Sequence, residues 1–226
     1  MLIDIRNLAA DLTRDDSGRL SSDDIDKAVG LALQRYSQDR PQAKVQDVTP
    51  TTTTVLPLPA AWETGFSEIS ALEYPIGENP PSYIPTDRYC LYQDPSAITI
   101  RVIDGVDVTK SVRVGYGIAH VVSATVDTIP LKHREAVSCW AAACLCGQLA
   151  SWYSSGSDST IQADSVQQRS KAQEYAARAL SLRKQYENEI GVQEKRNVAA
   201  GAVVELRKES STGSPHLSHP LRRSLP

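Results

Sequence analysis

The chain has 226 residues, 41% of them apolar, a mean hydropathy of -0.32 and a formal net charge of -3. This composition suits a globular protein that can bury one good core or two small ones, and it excludes a chain disordered throughout. No run approaches the roughly 18 consecutive apolar residues of a membrane span. Asp4 and Asp11 interrupt the start, where a cleaved signal would be cationic and then apolar, so neither membrane insertion nor export by such a signal is expected.

Leu2, Ile5, Leu8, Ala9 and Leu12 recur at helical spacing, which predicts a short amphipathic helix stopping near Asp15-Asp16-Ser17-Gly18. Ser21 and Asp24 then stand at capping-box spacing, with acidic residues favouring the positive end of a helix dipole. Ile25, Ala28, Val29, Ala32, Leu33 and Tyr36 make one apolar stripe behind that cap, and the second helix ends before Arg40-Pro41.

From about Lys44 to Val126 the period changes to two, and prolines punctuate short segments, so strands are expected over 51–58, 69–74, 88–93, 97–103 and 111–118. Asp94-Pro95-Ser96 suits a tight connection between the third and fourth of these. In the last strand Val112, Val114, Tyr116 and Ile118 share a core face. Ser111, Arg113, Gly115 and Gly117 share the other, which is open or tightly apposed. Ile76 to Pro81 and Tyr83-Ile84-Pro85 read as an ordered but irregular loop, because proline cannot donate to a ladder.

Ile129-Pro130 opens a third helix, whose stripe is Val137, Trp140, Ala141, Cys144, Leu145, Gln148, Leu149 and Trp152. Ala136, Ala141, Ala142, Ala143 and Gly147 keep much of its surface small, so it is expected to be central and packed on more than one side. After a loop over 154–160, a fourth helix over about 161–190 turns Ala172, Tyr175, Ala176, Ala179, Leu182, Tyr186 and Ile190 inward, with Gly191 as C-cap. Residues 198–206 have a strand-like composition, but Ser210 to Pro215 is linker, and a tail of this kind takes up order against a partner.

These elements predict an α+β fold. A helical bundle of two N-terminal helices and two long C-terminal ones carries an inserted antiparallel β region and an extended C-terminal arm. The divisions fall at 1–43, 44–127, 128–191 and 192–226. Residues 41–127 hold five Lys/Arg against ten Asp/Glu, a net -5, whereas residues 192–226 hold six against three, a net +3. An acidic body with a basic tail lacks the dense basic stripe of a duplex-binding domain.

No pattern with catalytic content stands out. His120, at a strand end, and His133, in the first turn of a helix, are alone in sequence, so surface or capping roles are expected of them. Cys139, Cys144 and Cys146 share one helix and cannot readily pair with one another, and Cys144-x-Cys146 lacks the second pair of a zinc site. They read as small apolar packing residues in a reduced protein, with no metal and no cofactor expected. Asp104, Asp107 and Glu73 match no calcium loop. Trp62 beside the β segments leaves open a small-ligand or carbohydrate-binding module. Trp140, Leu145, Trp152, Tyr175 and Tyr186 on the C-terminal helices are the residues expected to pack subunits together.

Several segments together resemble the head-to-tail connector, or adaptor, proteins of tailed bacteriophages. They are Ser22-Asp23-Asp24-Ile25 through Tyr36, Val55 through Trp62 with 69–75 and Pro80-Pro81, and Val112-Arg113-Val114-Gly115-Tyr116. Ile129-Pro130 through Ile190-Gly191 follows, including Asp164-Ser165-Val166, Lys171-Ala172, Tyr175, Ala179 and Tyr186. The likeness covers about residues 20–191. It implies a virion protein that is not an enzyme, made in the host cytoplasm and placed in the neck between head and tail. Such a protein forms a ring, most often a dodecamer, beneath the portal protein, and it extends the channel through which double-stranded DNA passes without sequence-specific binding. It also offers a platform to the next neck or tail protein. The bundle would form the ring wall and the β insertion would face outward or towards the tail. The arm would dock on the portal; the resemblance carries over no individual residue for this, and the arm's own apolar and basic residues Val203, Leu206, Arg207, Lys208, Leu217, Leu221, Arg222, Arg223 and Leu225 are expected to make the contact. A tail-completion or terminator protein, one station further down, is the neighbouring alternative.

Overall fold

In the computed structural model, residues 2–15, 18–95, 97–155 and 162–191 are described. The expected C-terminal arm, with all nine of its expected portal contacts, lies outside them, as do Asp16, Ser17, Ser96 and the side chains of Asp164, Ser165 and Val166.

Helix α1 (Leu2–Thr13) buries Ile5, Ala9 and Thr13, and the Thr13 hydroxyl donates to the Ala9 carbonyl at 2.7 Å. Helix α2 (Ser22–Asp39) begins at the expected capping box: Asp24 N donates to Ser21 Oγ at 3.2 Å, and Ser21 N donates back to Asp24 Oδ2 at 3.0 Å. The Ser21 hydroxyl, donating to Asp24 Oδ2 at 2.7 Å, and then the Ser21 backbone bond hold the Asp24 carboxyl below its usual range. Arg6 joins the two helices by donating to Ser22 Oγ and pairing with Asp26.

Six strands follow: β1 (Gln42–Val48), β2 (Val55–Pro57), β3 (Ile69–Glu73), β4 (Tyr89–Gln93), β5 (Ile98–Val102) and β6 (Val112–Ile118). They form two antiparallel three-stranded sheets, in the orders β1-β6-β3 and β2-β5-β4. Five of the six fall within the expected segments. β1 was not among them, and it moves the start of the β region from 44 to 42. The two sheets share one apolar core, in which Leu56, Leu72, Ile100, Val112 and Val114 are fully buried. β6 carries its expected core face, Val112, Val114 and Tyr116. On its other face a Cβ at Gly115 would stand 2.8 Å from Ser70 Oγ, so a side chain there would have to turn the exposed Ser70 hydroxyl aside.

Pro130 precedes a 3-10 turn over Leu131–His133, so the third helix, α3 (Arg134–Ser155), starts four residues after the proline rather than at it. α3 is the axis of the bundle and touches α1, α2 and the fourth helix, α4 (Gln162–Ile190). For that reason its burial exceeds the expected stripe. Cys139, Ala142, Ala143 and Cys146 are also fully buried, whereas Gln148 and Trp152, placed in the stripe, are exposed. Small side chains on every face let the neighbouring axes come close. α4 buries Ala179, Leu182, Tyr186 and Ile190 against it, while Ala176, expected inward, is exposed. Gly191 closes α4 at φ +68°, its N–H donating to the Glu187 carbonyl at 2.9 Å. No helix among the described residues is long and apolar enough to cross a membrane.

Candidate assembly surface

The bundle and the β region meet at a polar junction built around the end of α2. The Tyr36 hydroxyl and His133 Nδ1 share a 2.7 Å hydrogen bond, and the Tyr36 ring lies 4.9 Å from the His120 ring. His120 Nε2–H donates to the Arg40 carbonyl at 3.0 Å, Nδ1 stands 3.0 Å from Thr128 Oγ1, and the His120 backbone N–H donates to Ser37 Oγ. Arg40 Nη2 in turn donates to the Ile190 carbonyl at 2.7 Å, so the last turn of α2 fastens both the exit of β6 and the end of α4.

His120 is therefore a buried structural residue, 7% exposed; of the surface or capping roles expected of it the surface role is corrected, and its bond to the carbonyl of Arg40, the C-cap of α2, is of the capping kind. Burial holds its imidazole below the ordinary pKa. His133 is lowered too, first by burial and then by Lys132, Arg40 and His120 around it. Below the junction Arg134 Nη2 lies 2.7 Å from Asp127 Oδ2, whose side chain is almost wholly buried. The contact is an ion pair off the hydrogen-bond line, since Asp127 Oδ2 and Arg134 Nε have no hydrogen-bond partner. The other carboxylate oxygen accepts from Ile129 N at 2.8 Å.

The five residues expected to pack subunits divide on the same geometry. Leu145 and Tyr186 are 0% exposed within a single chain, so they have no surface to give a second copy. Their assignment is corrected to the bundle core, where the Tyr186 hydroxyl donates to Asp39 Oδ2 at 2.7 Å. Trp140 is half-buried, 4.9 Å from the Tyr186 ring, with the Arg35 and Arg183 guanidinium groups over its face. Tyr175 stacks on Tyr153 at 5.7 Å, and its hydroxyl donates to the Arg14 carbonyl. Of the five, Trp152 alone is an exposed apolar side chain, at 40%, and Arg19 lies 3.7 Å over its ring.

Surface apolar groups lie mostly where the periodic reading did not look. Leu180 on α4 and Ile3 on α1 are 67% and 61% exposed, and Leu31 on α2 is also open. Each stands off the buried stripe of its own helix, and an apolar residue on the wrong face of an amphipathic helix is the signal that marks such positions in a sequence. In the β region Val45, Leu91, Tyr92 and Ile103 are exposed.

The alternatives have a geometry as well. Trp62 packs half-buried against the β core, 6.0 Å from the Tyr116 ring, so it offers a sugar no open platform. A cleft of about 490 Å³ is lined by Ser37, Gln38, Pro41, Phe66, Ile69 and Tyr116 among others, and Trp62 is not part of its wall. Glu73 is shared by Arg113 and Gly77 N, Asp104 pairs with Arg88, and Asp107 accepts from Thr109. Among the described residues no group of three or more His, Cys, Asp or Glu stands close enough to hold a metal ion. All four cysteines are free. Burial pushes the Cys139 and Cys146 thiols up to about 12 and about 11, as packing residues rather than nucleophiles. Neither a protein-family model nor any curated protein matches this chain.

Proposed function

We propose that the chain is a structural subunit of a phage neck ring, a head-to-tail adaptor that sits beneath the portal, lengthens the DNA channel and receives the next neck or tail protein. The observation that carries the reading is the bundle's outer surface. Three of its helices each turn a large apolar side chain to solvent, Ile3 on α1, Leu31 on α2 and Leu180 on α4, around a central α3 that touches all three and itself exposes Trp152 near its end. A wall subunit in a cyclic ring needs two different contact surfaces, one for each neighbour, and exposed apolar groups on several sides of one bundle suit that requirement. The 41–127 segment, which would face outward or towards the tail, carries a net -5 and so adds no basic surface that would hold passing DNA.

The test is electron microscopy and mass measurement of the purified full chain, alone and mixed with a portal ring. Closed rings that stack coaxially on the portal are the expected result. A chain that stays monomeric in both conditions overturns the reading. Attachment only at the distal end of a finished tail transfers the chain to the terminator class.

A further inference from the structure

Two three-stranded sheets have four edge strands, and three of these edges are guarded. β1 carries Lys44 and Asp47. β2 is three residues long, ends in Pro57, and has Thr51 and Thr52 folded back on Val55. β3 is covered by the 82–84 segment, since Ile84 N donates to the Leu72 carbonyl and Tyr74 N donates to the Ser82 carbonyl. Among the described residues β4 has no such device. Its five residues, Tyr-Cys-Leu-Tyr-Gln, contain no charge and no proline, and from Cys90 to Gln93 all are exposed.

The chemistry of this edge selects its occupant. Arg88 O accepts from Ile103 N, and Asp94 N donates to Ala97 O, so the even-numbered residues direct their backbone groups at β5. By alternation Tyr89, Leu91 and Gln93 direct theirs at the open edge. We infer that this edge binds the same edge of a second copy, β4 against β4, antiparallel and centred on Leu91. In that register Leu91 meets Leu91, Tyr89 meets Gln93, and the outward groups of both strands face each other; a slip by one residue sets them against groups already bonded to β5. On the outer face Cys90 meets Tyr92, and at both ends Arg88 meets Asp94 of the copy, so the strand is complementary to itself in charge. Arg88 also holds Asp104 at 2.8 Å, so the cross-strand pair fixes register more than it adds strength.

Leu91 lies opposite Ile100, on the core face of its sheet, yet it remains 46% exposed. Pairing joins two sheets into one of six strands and lays the two Leu91 side chains together over the open end of both cores. Such a contact is two-fold, and a two-fold contact cannot close a ring. It is therefore separate from the wall contacts proposed above and serves to hold subunits, or two rings, face to face.

Sedimentation of the full chain over a range of concentrations tests it. Dimers, or even-numbered assemblies, are expected. Leu91→Lys, which sets like charges opposite one another on the axis, is expected to abolish the two-fold contact. Arg88→Asp and Asp94→Arg are each expected to weaken it, and the double exchange to restore it, a rescue that a folding defect would not show. With Cys90→Ser as background, Leu91→Cys is expected to form an oxidised dimer, since paired residues stand about 5.5 Å apart in this register, and Gln93→Cys is not. A monomer at every concentration, or association indifferent to Leu91→Lys, overturns the inference. Rings that survive Leu91→Lys unchanged keep the ring reading and remove this contact. Leu91-dependent dimers without rings do the reverse.

Discussion

The bundle and the β region bury their apolar residues by opposite means. In the bundle one helix, α3, is surrounded, and closeness comes from small groups: Cys139, Ala142, Ala143 and Cys146 meet Ala179 and Leu182. In the β region, branched residues from two sheets, such as Val112, Val114 and Ile100, fill the space between them, and strand edges remain at the surface. A core of small residues has no slack for added volume, whereas a core of large branched residues is hurt by removal. The two are joined through Tyr36, His120, His133 and Arg40, so the difference in packing need not be a difference in cooperativity.

The strongest way to break that comparison is to hollow each core in turn. Tyr186→Ala removes a fully buried ring and the bond to Asp39, and is expected to cost about 3–5 kcal/mol; Ile100→Ala is expected to cost about 2–5 kcal/mol. Trp62 reports from the β region and Trp140 from the bundle. In single-tryptophan variants, either mutation should lower one common melting midpoint seen by both fluorophores. Two separated transitions would show that the junction does not couple the regions.

Added volume sharpens the contrast. Ala142→Leu, at a site with no exposure against α4, is expected to cost about 1–3 kcal/mol. Val45→Ile, on the edge strand β1 at 65% exposure, should stay within about 0.5 kcal/mol. Urea melts of the two variants check both, and equal costs would remove the distinction drawn between the cores.

A smaller effect is expected where the bundle ends. Gly191 has φ +68°, a conformation that costs an L residue roughly 1–2 kcal/mol, so Gly191→Ala should lower stability by about that amount. The Cβ itself meets nothing closer than Arg40 Nη2 at 3.7 Å, so a loss well beyond that range would point to disruption of the Arg40 clasp on Ile190. Thermal melts of Gly191→Ala beside Gly191→Asn, the residue that best tolerates this conformation after glycine, separate the two causes.

The sequence carried the parts of this architecture that are local. The Ser21 and Asp24 capping box, the small-residue character of α3, the alternation of β6 and the Gly191 cap are all written within a few residues of where they act. What was missed depends on distant partners. β1 alternates Ala43, Val45 and Asp47 against Lys44, Gln46 and Val48, so neither face is apolar throughout, and only its pairing with β6 from Gln42 opposite Ile118 makes it a strand. His120 looked like a surface residue because the groups that bury it, Tyr36, Ser37 and Arg40, lie some eighty positions earlier. Tyr186 and Leu145 read as contact residues because helical period distinguishes an apolar face from a polar one, but not an internal neighbour from another subunit. The β4 segment was legible as a strand; that one of its edges is open follows from sheet order, which no periodicity contains.

Acid and alkali should lower the shared stability through different groups, with the smallest effects near neutrality. His120 and His133 have folded pKa values below the ordinary 6.5, principally through burial. As the pH falls below about 6.5, the unfolded chain takes up protons that the folded chain refuses, so stability declines until the folded pKa values are also passed. The opposite limb belongs to the bundle. Cys139 and Cys146 ionise near 9 when unfolded but at about 12 and about 11 when folded, so above pH 9 the unfolded thiols release protons that the folded ones keep, and stability declines again. Denaturant midpoints across pH should therefore show a plateau between these limits. His120→Gln and His133→Gln together should flatten its acid side and leave the alkaline side intact, whereas Cys139→Ala with Cys146→Ala should make the alkaline side shallower without removing it, since burial also raises Cys144, Tyr36 and Tyr186. An acid limb that survives removal of both histidines would take the acid response away from the junction altogether.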